Sequence, residues 1–259
     1  MNDNLLQHFR ADEKLVVQRL LGYLEQVDRN YAPYLTNFLN PRERYILETL
    51  ARNQNIQSFF EGGFDNFEQG RVLIAPDYYC LDNNDFEIIY FELQYASQFN
   101  QLKHNQILGS LLGQGIKREQ LGDIVQNEKR FQIAVSQSIA SYLEMNLQKI
   151  GKVPVKLIRI SKSQLIQNQQ NIFYKRLTIT SLRLDNIIAN VYNISRQTTK
   201  KMIENGLCKV NFGVIANPNT ILSISDVVSV RKYGRFYVEE FQGKTKKDRY
   251  AIKIKILKW

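Results

Sequence analysis

Four cations, Arg196, Lys200, Lys201 and Lys209, crowd the stretch ISRQTTKKMIENGLCKVN at residues 194–211. Ser195 stands where a helix N-cap would, and Gly206 stands where the helix would stop. At 100° per residue, Arg196, Gln197, Lys200, Lys201 and Glu204 share an arc of about 140°, with Thr199, Met202 and Ile203 in the neighbouring arc. A cationic helix face is either solvated or built to hold phosphates. Three other groups favour phosphates: Arg183 ahead of the preceding helix, Arg231, Lys232 and Arg235 in VRKYGRF, and the tail KTKKDRYAIKIKILKW. Positive charge converging from helix ends and hairpins suits a structured phosphate backbone, because each neutralised phosphate releases counterions.

Other residues with chemical potential fit no reaction. His104 and Asn105 precede Gly109, Gly113 and Gly115, but no Gly-Lys-Ser/Thr follows, so a phosphate loop is unsupported. His104 reads as a structural residue at a helix start. The glycines read as allowances for close helix packing and a tight stop, with Lys117 and Arg118 beyond them as a secondary phosphate contact. Cys80 and Cys208 form no CxxC pair, which argues against zinc and a disulfide framework and for two buried free thiols. Residues 1–180 show no strand followed by the Gly-rich loop expected of a cofactor-dependent methyltransferase. No cofactor and no metal are expected.

These groups sit in a chain of 259 residues, 44% hydrophobic and 11% aromatic, which is enough apolar material for two or three small cores. The net charge of +10 points to a polyanionic partner, and its distribution is uneven. From Ser181 onward there are fifteen Lys/Arg against six Asp/Glu, whereas residues 1–180 hold twenty against nineteen. The first residues lack the apolar run of a secretory leader and no stretch reaches the length of a membrane span, so a cytoplasmic protein is expected.

Periodicity supplies the elements that would position these residues. Val16, Val17, Leu20, Leu21, Leu24 and Val27 mark one helical face, and FLNPRERYILETL opens a second helix with Asn40 as cap, Pro41 at the first position and Glu43 closing a capping box. IQSFFEGGF reads as a strand ending in a Gly-Gly turn. RVLIAPDYYC and FEIIYFELQYA read as a hairpin, followed by a helix near 100–114, strands at GDIV and RFQIAV, a helix SQSIASYLEMNLQKI and a strand VPVKLIRI. That order suits an α+β split-βαβ sheet of the RNA-recognition or ferredoxin-like kind, although no aromatic pair matches the stacking residues of an RNA-recognition motif. The expected organisation is a mostly helical segment over residues 1–70, the split-βαβ domain over 71–162, a Gln/Asn-rich linker with a short strand over 163–180, and a basic domain over 181–259.

The stretch RLDNIIANVYNISRQTTKKMIENGLCKVN, with ILSISDVVSVRKYGRF after it, resembles the RNA-binding domain named for the fourth protein of the small ribosomal subunit, the S-four domain. It departs at Thr199, Phe212 and Ser225, where that pattern more often has Ala, Gly and Gly. Together with FLNPRE and HNQILGSLLGQGIKREQLGDI upstream, the chain resembles the bacterial YlmH family, which at Gln106 more often has Asp. That resemblance implies a ribosome-associated factor that binds large-subunit rRNA and tRNA or peptidyl-tRNA in rescue of stalled ribosomes; a non-catalytic monomer is expected. The resemblance also implies an RNA-contacting set of Arg183, Ser195, Arg196, Thr199, Lys200, Lys201, Lys209, Asn211, Arg231, Lys232 and Arg235. The alternative is an RNA-modifying enzyme with its site in residues 1–180. An Arg-Leu-Asp triplet also surrounds the catalytic aspartate of pseudouridine synthases, but here Asp185 opens the S-four-like segment and reads as a helix N-terminal charge.

Overall fold

The computed structural model describes residues 9, 13–65, 67–166, 171–245 and 247–258. It divides into two compact units, residues 1–169 and 170–259.

The first unit begins with α1 (Lys14–Asn30), which buries Val17, Leu20, Leu24 and Val27, the stripe read from the sequence. Then come β1 (Tyr34–Leu39) and α2 (Pro41–Arg52). Asn40 Oδ1 accepts from the amides of Arg42 and Glu43 while Glu43 accepts from the Asn40 amide, so the expected capping box forms. β2 (Gln57–Glu61) and β3 (Gly70–Ala75) complete an antiparallel sheet ordered β1-β3-β2, packed against both helices. The N-terminal part is therefore helices on a sheet. At the Gly-Gly turn after β2, a Cβ on Gly62 would overlap the Phe67 ring.

The hairpin expected between RVLIAPDYYC and FEIIYFELQYA does not form. β3 is the middle strand of the first sheet, and β4 (Ile88–Gln94) belongs to the next. All six residues of β3 are buried, as a central strand covered on both faces demands. Its one charged side chain, Arg71, donates to the Thr36 and Phe86 carbonyls.

After β4 come α3 (His104–Gly113), β5 (Leu121–Asn127), β6 (Arg130–Ser136), α4 (Gln137–Asn146), a short pair β7 (Lys149–Ile150) and β8 (Val153–Pro154), and β9 (Lys156–Ile160). The sheet order β5-β6-β4-β9, with antiparallel neighbours, is a split-βαβ arrangement. Phe91, Leu93, Phe131 and Ile133 face Ile107, Leu111, Ile139 and Leu143 of the two helices. Tyr90, Val125 and Ala134 point the other way and are closed over by Phe38, Phe64 and Ile166. Gln132, fully buried on that side, donates to the Gln164 carbonyl and accepts from the Ile166 amide.

The second unit runs through β10 (Asn171–Ile179), α5 (Leu184–Tyr192), α6 (Arg196–Glu204), β11 (Cys208–Val210), β12 (Gly213–Val214), β13 (Val227–Val230), β14 (Gly234–Lys244) and β15 (Tyr250–Lys258). Its sheet is ordered β10-β15-β14-β13-β11-β12. α5 and α6 pack Leu184, Ile187, Ile188, Val191 and Ile203 onto Phe236, Val238, Ile252 and Ile254. Lys175 Nζ donates to the Asn190 and Val191 carbonyls, a cation placed on the negative end of α5.

The stretch read as a linker over 163–180 is corrected accordingly. Residues 163–166 are tied to the first unit by Gln132, 167–170 lie outside the described residues, and 171–179 pair with β15 along all nine positions. The alternating apolar pattern in NIFYKRLTI explains why this segment joins the sheet. No described helix is long and apolar enough to cross a membrane.

Candidate nucleic-acid interface

The charge excess resides in the second unit. Residues 170–259 carry seventeen Lys/Arg against six Asp/Glu, and residues 1–169 carry eighteen against nineteen. Within the second unit the start of α5 is fixed first. The Leu184 and Asp185 amides donate to the Thr220 and Pro218 carbonyls, and the Asn186 side chain donates to the Ser181 carbonyl.

Asp185, in the first turn of α5, has no exposed surface and holds two guanidiniums. Arg183 donates to it through Nε at 3.0 Å and Nη2 at 3.1 Å, and Arg196 through Nη2 at 2.9 Å. Burial pushes the Asp185 carboxyl upward, but the hydrogen bonds from Arg183 and Arg196 outweigh it and hold the group below the ordinary carboxylate value. The Arg183 and Arg196 side chains remain 31% and 50% exposed, so an internal anion orients two surface cations at the entries to successive helices. Asp185 is the helix N-terminal charge expected from the sequence and also the centre of a clamp that sequence spacing does not reveal.

Ser195 caps α6, its Oγ accepting from the Thr198 amide. Lys200 and Lys201 are exposed on this helix, as the arc predicts. Thr199 is not part of the surface. It is fully buried, and its hydroxyl donates to the Ser195 carbonyl at 3.0 Å. The signal was available, since Thr199 lies one turn before the buried Ile203 on the apolar side.

The strand residues form a separate set. Lys209 pairs with Ser229, and Ser229 with Arg235. The neighbours Cys208, Val210, Val228, Val230 and Phe236 all enter the core beneath the helices, so Lys209, Ser229 and Arg235 point from the other side of the sheet. Arg235 Nε donates to Ser229 Oγ, and its guanidinium lies 5.6 Å from the Phe212 ring centroid. Asn211, expected on the RNA face, is structural: its amide nitrogen donates to Asp226 and its amide oxygen accepts from the Val227 backbone. Arg231 and Lys232 are exposed in the turn between β13 and β14, with Lys232 in the left-handed region.

Two more cation–aromatic pairs on that side of the sheet escaped notice in the sequence. Lys253 lies over Tyr174 and Lys255 over Tyr237, with the exposed Arg176 paired to Lys253 across the strands. The alternation IKIKIL in the tail is the signal, since isoleucines at 252, 254 and 256 fill the core and the lysines between them face away. Lys246 of the same tail lies outside the described residues.

In the first unit, Lys117 and Arg118 are exposed after α3, and Arg118 donates to the Leu121 carbonyl. His104 opens α3 and is exposed. Gly109 and Gly113 have nothing within 4 Å of an added Cβ, so the close helix packing expected there is absent; Gly115, at φ +81, is the stop. The middle of the β4–β6 sheet is covered on both sides, which leaves no open face there for base stacking of the RNA-recognition-motif kind. Cys208 is buried and its thiol pushed up to about 11 by burial, whereas Cys80 is exposed rather than buried. Among the described residues no group of three His, Cys, Asp or Glu side chains could hold a metal.

Comparison with known proteins places this geometry. Residues 12–79 match the family model "YlmH, N-terminal" and residues 82–164 match "Putative RNA-binding domain in YlmH". Along nearly its whole length the chain is 35% identical to "Ribosome-associated protein quality control protein P2" of Bacillus subtilis (strain 168), with 96% of this chain and 97% of the relative covered. The chain belongs to the YlmH family. A solved family structure, "Cell division protein ylmH from Streptococcus pneumoniae", matches with a TM-score of 0.56 and 34% identity, covering 62% of this chain and 98% of that one. The YlmH match boundary near residue 80 agrees with β3 belonging to the N-terminal sheet and moves that boundary past the expected position at 70.

Proposed function

We propose that this chain is a ribosome-associated, cytoplasmic RNA-binding factor that performs no chemistry on its RNA. It grips large-subunit rRNA, together with tRNA or peptidyl-tRNA, as a monomer in quality control of stalled ribosomes. The name of the Bacillus relative supports the ribosomal setting, and the YlmH RNA-binding domain match supports the partner class. The carrying observation is the pair of arginines oriented by buried Asp185, beside exposed Lys200 and Lys201, in the unit that holds the whole charge excess. Residues 181–259 act as the S-four-type domain, and the nearly neutral first unit adds selectivity through a linked second contact. Lys117 and Arg118 belong to that second contact. A buried carboxylate bonded to two arginines is a poor nucleophile, which disfavours Asp185 as a catalytic aspartate.

Salt dependence tests the phosphate role. Replacing Lys200 or Lys201 by Ala should reduce the slope of log affinity against log salt by roughly 0.7 to 0.9 each, for binding to purified large subunits. Equal slopes for the wild type and the double variant would mean that this face is only solvated.

A further inference from the structure

The turn between β11 and β12 carries a residue that local backbone physics disfavours. Val210 pairs with Gly213, and the two residues between them, Asn211 and Phe212, have φ of 48° and 70°. Two-residue hairpin loops with both central residues at positive φ favour Asn followed by Gly, because a Cβ in the left-handed region meets the following carbonyl. Asn211 fits this rule and makes the side-chain bonds already described. Phe212 does not fit, since a bulky aromatic in that conformation is an outlier.

Packing does not repay the strain. Phe212 is 41% exposed and belongs to none of the unit's apolar clusters. Its ring meets the Arg235 guanidinium at 5.6 Å, and exposed Lys209 extends from the adjoining strand on the same side of the sheet as Arg235. The carboxylate bonded to this turn, Asp226, is fully buried, so it presents no negative charge at the surface.

We infer that Phe212 is a stacking platform for one unpaired base of the bound RNA, with Lys209 and Arg235 taking the phosphates beside it. The inference rests on the RNA-binding function proposed above. An aromatic face accepts any base, and flanking cations neutralise the backbone that carries it; this is the chemistry of single-strand recognition rather than of a duplex groove. Arg235 serves twice, since its guanidinium steadies the ring while its charge faces the backbone. The strain at Phe212 is thus held for binding, as strained positions at functional sites commonly are.

The test uses the full chain and fluorescently labelled octamers of uridylate and adenylate, followed by anisotropy. Phe212→Leu keeps an apolar side chain at positive φ but removes the ring. Phe212→Gly removes both ring and strain, and Phe212→Trp keeps a ring. The Leu and Gly variants should each lose about five- to 150-fold in affinity, the range expected for one stacked base, while Trp retains binding. The Gly variant should at the same time unfold at a higher temperature than wild type, a combination that a merely structural phenylalanine does not give. Wild-type affinity in the Leu and Gly variants, or no measurable octamer binding by the wild type, overturns the inference. If the Lys200→Ala, Lys201→Ala double variant loses large-subunit binding while the Phe212 variants bind octamers normally, the platform is wrong and the broader function stands. If neither set changes any RNA binding, both fall.

Discussion

Asp185→Asn should destabilise the second unit. The wild-type carboxylate accepts three charge-assisted hydrogen bonds, at 3.0, 3.1 and 2.9 Å. Asn keeps one acceptor oxygen and turns an NH₂ group toward guanidinium donors, so about two of the three bonds are lost, each of a kind worth roughly 1.5 to 3 kcal/mol. Two effects offset part of this. The buried negative charge disappears, and water reaches Arg183 and Arg196, which are already 31% and 50% exposed. A net loss of about 2 kcal/mol results, equivalent to roughly 8 to 16 °C in the unfolding temperature of a domain this size. Because the Asp185 carboxyl is held below its ordinary value of 3.8, it contributes stability above the unfolded-state pKa and loses it as pH falls through the folded one. Calorimetry of wild type and variant should therefore show a gap that is flat from pH 7 to about 5 and closes below about pH 4. Affinity for large subunits should fall as well, since both arginines lose their orientation. Equal stability at pH 7, or a gap that widens on acidification, would refute the clamp.

Thr199→Val should cost about 0.5 to 1 kcal/mol, the price of one buried hydroxyl bond, and leave affinity for large subunits unchanged; a clear drop in affinity at unchanged stability would return Thr199 to the interface. In native protein, a thiol reagent should modify Cys80 quickly and Cys208 only on unfolding, because Cys208 is buried and its thiol is pushed up to about 11. Fast reaction of both thiols would mean that the core beneath α5 and α6 opens readily.

Local signals in the sequence were reliable because their physics is local. The Asn40–Glu43 capping box, the stripe of α1, the cap at Ser195 and the stop at Gly206 are each decided within a few residues. Strand partners were not legible in the same way. RVLIA reads equally well as a hairpin arm or as a central strand, and only the distant strands at 34–39 and 57–61 decide. The site shows the same division. Exposed Lys200 and Lys201 followed from helical spacing, but Arg183 and Arg196 meet at Asp185 across a turn that periodicity does not describe. Nor did the count of cations reveal that Lys209 and Arg235 leave the sheet on the side opposite the helices, which is a matter of strand register.

The second unit should supply most of the affinity for ribosomal RNA. Among the described residues its main apolar cluster runs from Leu177 to Ile256, a core from which the unit can be made separately. The cut belongs between residues 169 and 170, because starting at 181 would remove β10 and bare the edge of β15. Co-sedimentation of fragments 1–169 and 170–259 with purified large subunits at physiological salt is the decisive measurement. Fragment 170–259 should pellet with the subunits, less selectively than the intact chain, and fragment 1–169 should remain in the supernatant. Strong binding by 1–169 alone would contradict the assignment and make the split-βαβ unit the principal RNA reader.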